Sequence, residues 1–191
     1  MRTIKFSFLL CLFIFWQNIP AQVIQFWGEK IEITIHGASA AVRGQYYFVN
    51  QSDQTVPQTL FYPFMINENL PFPDSISVQQ KNQPENLPYQ RQNAGVFFSI
   101  FIPARDTIVN SVYYLQKTPA KIMEYILTTT ERWKEPLSFA EYTIRLPQPL
   151  TLKYLSMYPS EKSVSGEYQI FKILKNNYLP QTNLIIKWNG K

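Results

Sequence analysis

YILTTTERWKEPLSFAEYTIRLP, Tyr125 to Pro147, is the stretch whose reading decides the fold class. Tyr125, Leu127 and Thr129 alternate ahead of a polar centre. Behind it Tyr142, Ile144 and Leu146 alternate with Thr143 and Arg145. Residues two apart share a face of a strand, so each flank predicts a half-buried strand. The centre, Glu131 to Glu135, sets Trp133 among charges and predicts a turn. Together these read as a large β-hairpin. A short helix from Pro119 to Leu127 is the rival reading, because Ile122, Met123 and Ile126 have helical spacing. The β-branched run Thr128–Thr130 favours strand.

The same alternation recurs outward from this stretch. In Glu29 to His36, Ile31, Ile33 and Ile35 share one face, and Lys30, Glu32, Thr34 and His36 share the other. Val23 to Trp27 reads as a separate short strand broken by Gly28. In Val42 to Asn50, Val42, Gly44, Tyr46 and Phe48 share a face. Asn50 to Gln54 is a polar turn cluster. Thr55 to Phe64 is extended, and Pro57 and Pro63 cannot donate to a ladder, which places them at strand ends, an edge or a bulge. Asp74 to Gln79 is a short strand, and the polar stretch Gln80 to Gln92 predicts a long exposed loop. Val96 to Pro103, VFFSIFIP, is apolar on both faces and predicts a central strand, paired as a hairpin with Thr107 to Gln116. Leu150 to Tyr158, Glu167 to Lys175 and Asn183 to Trp188 complete the set, with a turn over Glu161 to Gly166. The fold class expected is all-β: an antiparallel β-sandwich of about ten strands, since many short alternating strands with turns between them make sandwiches or barrels. No amphipathic helix, repeat or interdomain linker interrupts it.

The N-terminus predicts export. Arg2 and Lys5 precede a run from Phe6 to Trp16 that is apolar apart from Ser7, and Gln17, Asn18 and Pro20 end it before the small Ala21. This is the layout of a secretory signal peptide cut after Ala21, and the run is too short to span a bilayer. The domain expectation is therefore a signal peptide over 1–21 and one β-sandwich over 22–191. The only cysteine, Cys11, lies in the apolar run without the small preceding residue that lipidation needs. Removing 21 residues from 191 leaves 170 with no thiol, so no disulfide is available and the core must hold the fold. The chain carries a net charge of +5, which falls to +3 without Arg2 and Lys5, and its cations are scattered rather than clustered. Nothing there marks a nucleic-acid surface. Aromatic residues reach 16%, equal to the charged share, and prolines number 14, which disfavours helical bundles.

The order of features over Gln45 to Phe64 and Tyr113 to Pro147 resembles a loose group of exported bacterial domains of unknown function with immunoglobulin-like β-sandwich folds. The shared pattern is a tyrosine strand (Tyr125 to Thr129), a tryptophan turn (Trp133, Pro136, Leu137) and a strand ending in Leu146-Pro147. The resemblance covers about half of the chain left after cleavage and implies an immunoglobulin-like sandwich and export. It carries no catalytic residues to transfer.

Candidate chemistry is sparse. His36 is the only histidine, and one imidazole without thiols makes a poor transition-metal site. No G-x-S-x-G elbow presents a serine. The six glycines stand alone, so no loop cradles a phosphate, and Asp53, Asp74 and Asp106 are too far apart for a calcium loop. Glu124, Glu131, Glu135 and Glu141 cluster in sequence around Trp133, the arrangement a carboxylate-dependent glycoside hydrolase would need. Asp74-Ser75-Ile76 and Asp106-Thr107-Ile108 resemble acidic–hydroxyl–aliphatic sites that some bacteria O-glycosylate, and Asn50-Gln51-Ser52 fits an N-glycosylation pattern. Tyr47, Tyr114, Trp133 and Trp188 are candidates for an outward aromatic platform, or for a second layer of core. The expectation is a non-enzymatic exported module, periplasmic or at the cell surface, with no cofactor and no metal. It would serve protein interaction or cell-envelope assembly, with another envelope or secreted protein as partner. The alternative is a carbohydrate-binding module touching glycan through Trp133, Glu131 and Glu135, and less favoured is the hydrolase. No nucleic acid and no membrane span after cleavage are expected.

Overall fold

The computed structural model describes residues 23–190; the predicted signal peptide, Cys11 and the Ala21–Gln22 junction lie outside them. Among the described residues the order is β1 (Ile24–His36), β2 (Ser39–Asn50), β3 (Val56–Pro63), β4 (Ser75–Gln80), β5 (Tyr89–Gln92), β6 (Gly95–Ile102) and β7 (Thr107–Lys117). Then come β8 (Ile122–Tyr125), a 3-10 helix (Thr128–Trp133), β9 (Leu137–Pro147), β10 (Thr151–Leu155), β11 (Glu161–Ser165), β12 (Tyr168–Tyr178) and β13 (Leu184–Asn189).

One layer is a seven-stranded sheet in the order β11-β12-β9-β1-β2-β7-β4. The other layer is two three-stranded sheets, β10-β13-β8 and β3-β6-β5. Hydroxyl contacts from Tyr46 on β2 to Tyr62 on β3 and to Tyr125 on β8 show both small sheets facing the large one. The fold is the predicted all-β sandwich, with thirteen strands instead of about ten. One pairing departs from the antiparallel expectation: β1 and β9 run parallel, with Ile31 opposite Tyr142 and Ile33 opposite Ile144. A parallel neighbour needs a long crossover, and the chain between β1 and β9 builds seven other strands on the way.

Alternation predicts the large sheet well. Ile31, Ile33 and Ile35 on β1, Val42, Tyr46 and Phe48 on β2, and Tyr142, Ile144 and Leu146 on β9 all enter one core. Val23–Trp27 and Glu29–His36 prove to be one strand with a register shift between Phe26 and Gly28. A bulge lets a strand twist without ending it. Pro57 and Pro63 sit on β3, an edge strand, as their missing donors require.

The hairpin reading of Tyr125–Pro147 is overturned. β8 pairs with β13 in a small sheet, whereas β9 lies between β1 and β12 in the large one. The segment crosses from one layer to the other. Thr128–Thr130 does not form strand; it opens the 3-10 helix, which Lys134 ends in a left-handed conformation with φ 61°. Local alternation gave no hint, because a strand's partner is a non-local choice. The second hairpin fails for the same reason: β6 pairs with β3 and β5, and β7 with β2 and β4. β6 is central in its sheet but not covered on both faces. Val96, Phe98, Ile100 and Ile102 are buried, while Phe97 and Phe101 face outward. The expected loop over Gln80–Gln92 contains β5, and the expected turn at Glu161–Gly166 contains β11, both fully exposed edge strands. Polar edge strands carry no apolar alternation to reveal them.

Asn50 fastens the two layers at one end. Its Nδ2 donates to the carbonyls of Gln54 (2.7 Å), Ile102 (2.9 Å) and Pro103 (3.0 Å). Its Oδ1 accepts from the Ser52 N–H (2.9 Å) and hydroxyl (2.8 Å). A side chain so enclosed has no room for a glycan, so the Asn50-Gln51-Ser52 pattern is structural. Asn50→Ala takes the donor from the buried Ile102 carbonyl and two part-buried ones and should cost about 2 kcal/mol of unfolding free energy in urea titration. A loss below about 0.5 kcal/mol would show the clasp to be dispensable.

Candidate functional site

The inward face of the large sheet carries a polar row. Glu29 on β1 lies opposite Tyr46 on β2, which lies opposite Asn110 on β7. Glu29 has the parity of Ile31, Ile33 and Ile35, so its burial follows from the strand pattern. The bulge supports it: Gly28 lies against the Phe139 ring, where an added Cβ would meet ring carbon at 2.4 Å. A side chain at position 28 would displace the Phe139 ring.

Glu29 is 3% exposed and forms none of the salt bridges found among the described residues. The Tyr142 hydroxyl donates to its Oε1 at 2.7 Å. Burial pushes the Glu29 carboxyl from 4.5 up to about 7, against the smaller lowering effect of that hydrogen bond. Next to it the Tyr46 hydroxyl lies 2.7 Å from the hydroxyls of both Tyr62 and Tyr125, and Tyr62 is 3.3 Å from Tyr125. Burial, reinforced by the nearby Glu29 carboxylate, raises all three phenols well above 10 and keeps them neutral. Asn110 is 0% exposed, and neither its Nδ2 nor its Oδ1 has a partner among the described residues.

These groups surround a cavity with about 80 Å³ of room for water centres. Its apolar wall includes Phe26, Phe48, Phe98 and Trp133, and Thr129 and Thr130 reach it from the 3-10 helix. Leu60, Phe61, Thr129 and Trp133 also line a depression on the outside, so the helix stands at the mouth.

The residues singled out by sequence separate here. Trp133 is half-buried, its ring 5.8 Å from Phe26 and 5.5 Å from Phe48. Glu131 and Glu135 are exposed and do not line the cavity. Glu124 accepts from Asn183 Nδ2 at 2.8 Å, and Glu141 pairs with Lys30 at 3.0 Å. The four glutamates therefore face different surroundings. Tyr114 and Trp188 are buried in the core, and Tyr47 is half-buried against Trp27 and Phe139. His36 is exposed at the end of β1. Asp74 lies 3.6 Å from Lys117, and Asp106 accepts from the Thr107 N–H at 2.7 Å, so both predicted modification sites begin strands. Among the described residues no group of three or more His, Cys, Asp or Glu is placed to hold a metal ion, and no helix is long and apolar enough to cross a membrane.

A second feature lies outside the sandwich. On the outer face of β3-β6-β5, Phe101 is 61% exposed and Phe97 38% exposed. Phe97 packs against Phe61, its partner across β3, at 4.7 Å, whereas Tyr89 on β5 lies opposite the buried Phe98 and turns its hydroxyl to the Ile76 carbonyl.

No family model matches the chain, and no curated protein matches it. Solved structures do share its fold. A candidate nutrient-binding protein from Legionella pneumophila superposes with a TM-score of 0.70 at 17% identity, over 87% of this chain and 67% of that one. An M1 zinc metallopeptidase from Deinococcus radiodurans, bound to a Tyr-Ser-Ala substrate, superposes with a TM-score of 0.53 at 9% identity, over 87% of this chain. This chain spans 43% of that peptidase. At these identities the likeness defines the class, a β-sandwich fold that also occurs within longer chains.

Proposed function

We propose that the chain is an exported, non-enzymatic β-sandwich module that serves protein interaction or cell-envelope assembly. The observation that carries this reading is the outward aromatic face of the β3-β6-β5 sheet. A strand position that shows a phenylalanine to water at 61% exposure loses free energy unless another surface covers it. Phe97, Phe101 and the half-buried Phe61 share one outward face of the kind that anchors protein interfaces. The recurrence of this fold inside longer chains supports a modular role.

The geometry gives less to the glycan reading. A sugar-stacking tryptophan needs an open ring face, and Trp133 turns its ring toward Phe26 and Phe48. Glu131 and Glu135 flank it in sequence without joining it at the cavity.

Phe101→Asp should weaken binding of the cognate envelope protein by about 2 kcal/mol or more, roughly 30-fold. Its melting temperature should stay within a few degrees of wild type, because the side chain supports no core. Unchanged partner affinity in a titration with purified components would overturn the assignment of this face. Turnover of a peptide, ester or polysaccharide by the purified protein would overturn the non-enzymatic reading.

A further inference from the structure

We infer that the cavity beneath Trp133 is a binding site for a short primary alkylammonium ion, held at Glu29 Oε2. Among the described residues, the buried side-chain atoms sealed from water without a partner belong to Asn110, Gln116, Thr118 and Trp188. Glu29 Oε2 has no partner either, since Tyr142 takes only Oε1, yet it is not one of the sealed atoms. The space it opens onto is the cavity that Glu29 lines. A 3% exposed acid thus turns a free oxygen into that cavity. No lysine, arginine or histidine lines the cavity to neutralise it. A buried carboxylate without a counter-ion is costly, and a cation from outside supplies one.

The walls decide which cation fits. A calcium or magnesium ion takes roughly six oxygens, and Glu29 offers one. Tyr46, Tyr62 and Tyr125 spend their hydroxyls on one another, at 2.7, 2.7 and 3.3 Å. An ammonium asks for less: one N–H donates to Oε2, and the rest of the charge lies against aromatic faces. Phe26, Tyr46, Tyr62, Phe98 and Trp133 place rings around the cavity. A primary amine carries the N–H that the carboxylate accepts, and a quaternary ammonium does not. The apolar wall receives a short alkyl tail. The space, about 80 Å³, holds roughly five to eight water centres, which suits about four heavy atoms. Asn110 takes no part, because both its amide atoms are sealed off. The ion would pass between the 3-10 helix and β3, where Leu60, Phe61, Thr129 and Trp133 line both the cavity and the outer depression.

The groups around Glu29 make the site pH-dependent. Tyr46, Tyr62, Tyr125 and Tyr142 are kept neutral by burial, and Tyr178 is also raised. Lys30 on the opposite face of β1 is held by Glu141, and Arg132 lines only the outer depression. Glu29 is the group that changes charge near neutrality, and binding of an ammonium requires its ionised form. An alkyl amine stays charged over the same range.

The test is an NMR titration of the full folded protein with propylammonium chloride. 1-Propanol removes the charge, propionate reverses it, and tetramethylammonium keeps it without an N–H donor. Propylammonium should saturate one site at pH 8, moving the Glu29 carboxyl carbon and the Trp133 indole N–H signals together. Its affinity should fall roughly 30-fold at pH 5.5, where a carboxyl titrating at about 7 holds its proton. Each of the three controls should bind at least roughly tenfold more weakly. Glu29→Gln should lose the site, and the wild-type signals and pH dependence keep the test decisive if that variant does not fold. The proposal is overturned if propylammonium does not saturate at pH 8, if any control binds equally well, if affinity is the same at pH 5.5 and pH 8, or if folded Glu29→Gln binds as tightly as wild type.

Discussion

Trp188→Ala should lower the unfolding free energy by about 3–5 kcal/mol, the range for emptying a buried tryptophan site. Trp188 lies on β13, the middle strand of the β10-β13-β8 sheet, and is 2% exposed. On the same face Ile186 and its partner Met123 on β8 are also buried, so the sheet cannot collapse into the hole without losing its own packing. The indole Nε1 has no hydrogen-bond partner among the described residues. Trp188→Phe removes that orphan donor along with part of the volume, and the two effects oppose each other. It should therefore cost less than half of the alanine loss. Urea titration reads both variants, with unchanged m-values showing that the unfolded state is not the cause. A loss under about 1 kcal/mol for Trp188→Ala would mean that this sheet does not seal the core.

Glu29→Gln should change sign with pH. The folded carboxyl titrates at about 7 and the ordinary value is 4.5. Below pH 4.5 both folded and unfolded chains hold the proton, so the fold is undiminished there. As pH rises the unfolded chain releases its proton first, and stability is lost until the folded carboxyl ionises near pH 7. About 2.5 units at 1.36 kcal/mol each amounts to about 3 kcal/mol. Glutamine keeps the shape and still accepts the Tyr142 hydroxyl, but it does not ionise. The variant should match or fall slightly below wild type at pH 4 and exceed it by about 3 kcal/mol at pH 8. A stability difference that is flat between those values would contradict the buried, uncompensated carboxyl on which the cavity description depends.

The alternating strands were the legible part of this chain. Ile31, Ile33 and Ile35 stated their face, and so did Tyr142, Ile144 and Leu146, because one covered side leaves a period of two in the sequence. Pairing was not legible. β8 and β9 are joined by eleven residues and lie in different sheets, while β1 finds β9 more than a hundred positions away. Loop chemistry between β8 and β9 did not reveal that the chain was changing layers. The strands β5 and β11 were missed because every residue in them is exposed, so no apolar face marks them.

The candidate site was legible in one residue and hidden in the rest. Glu29 shares its parity with the buried isoleucines of β1, and that alone marks an acid turned inward. The charges beside Trp133 in sequence are Glu131 and Glu135, which the 3-10 helix and the turn after it leave in solvent. Asn110, Tyr46 and Tyr62 reach the cavity through the register of β2 with β7 and the facing of β3 onto β2. Register and layer packing are set by the whole core, so neither residue types nor spacing near Trp133 could foretell them.

The interaction reading is tested most directly by a photoreactive residue placed at position 101 in the native cell. An equivalent residue at position 164, exposed on the far edge strand β11, provides the control. One discrete adduct to a single envelope or secreted protein is expected from position 101. It should be lost when Phe97→Asp is added, and none should form from position 164. No adduct at 101, or the same adducts from both positions, would contradict the role assigned to the β3-β6-β5 face.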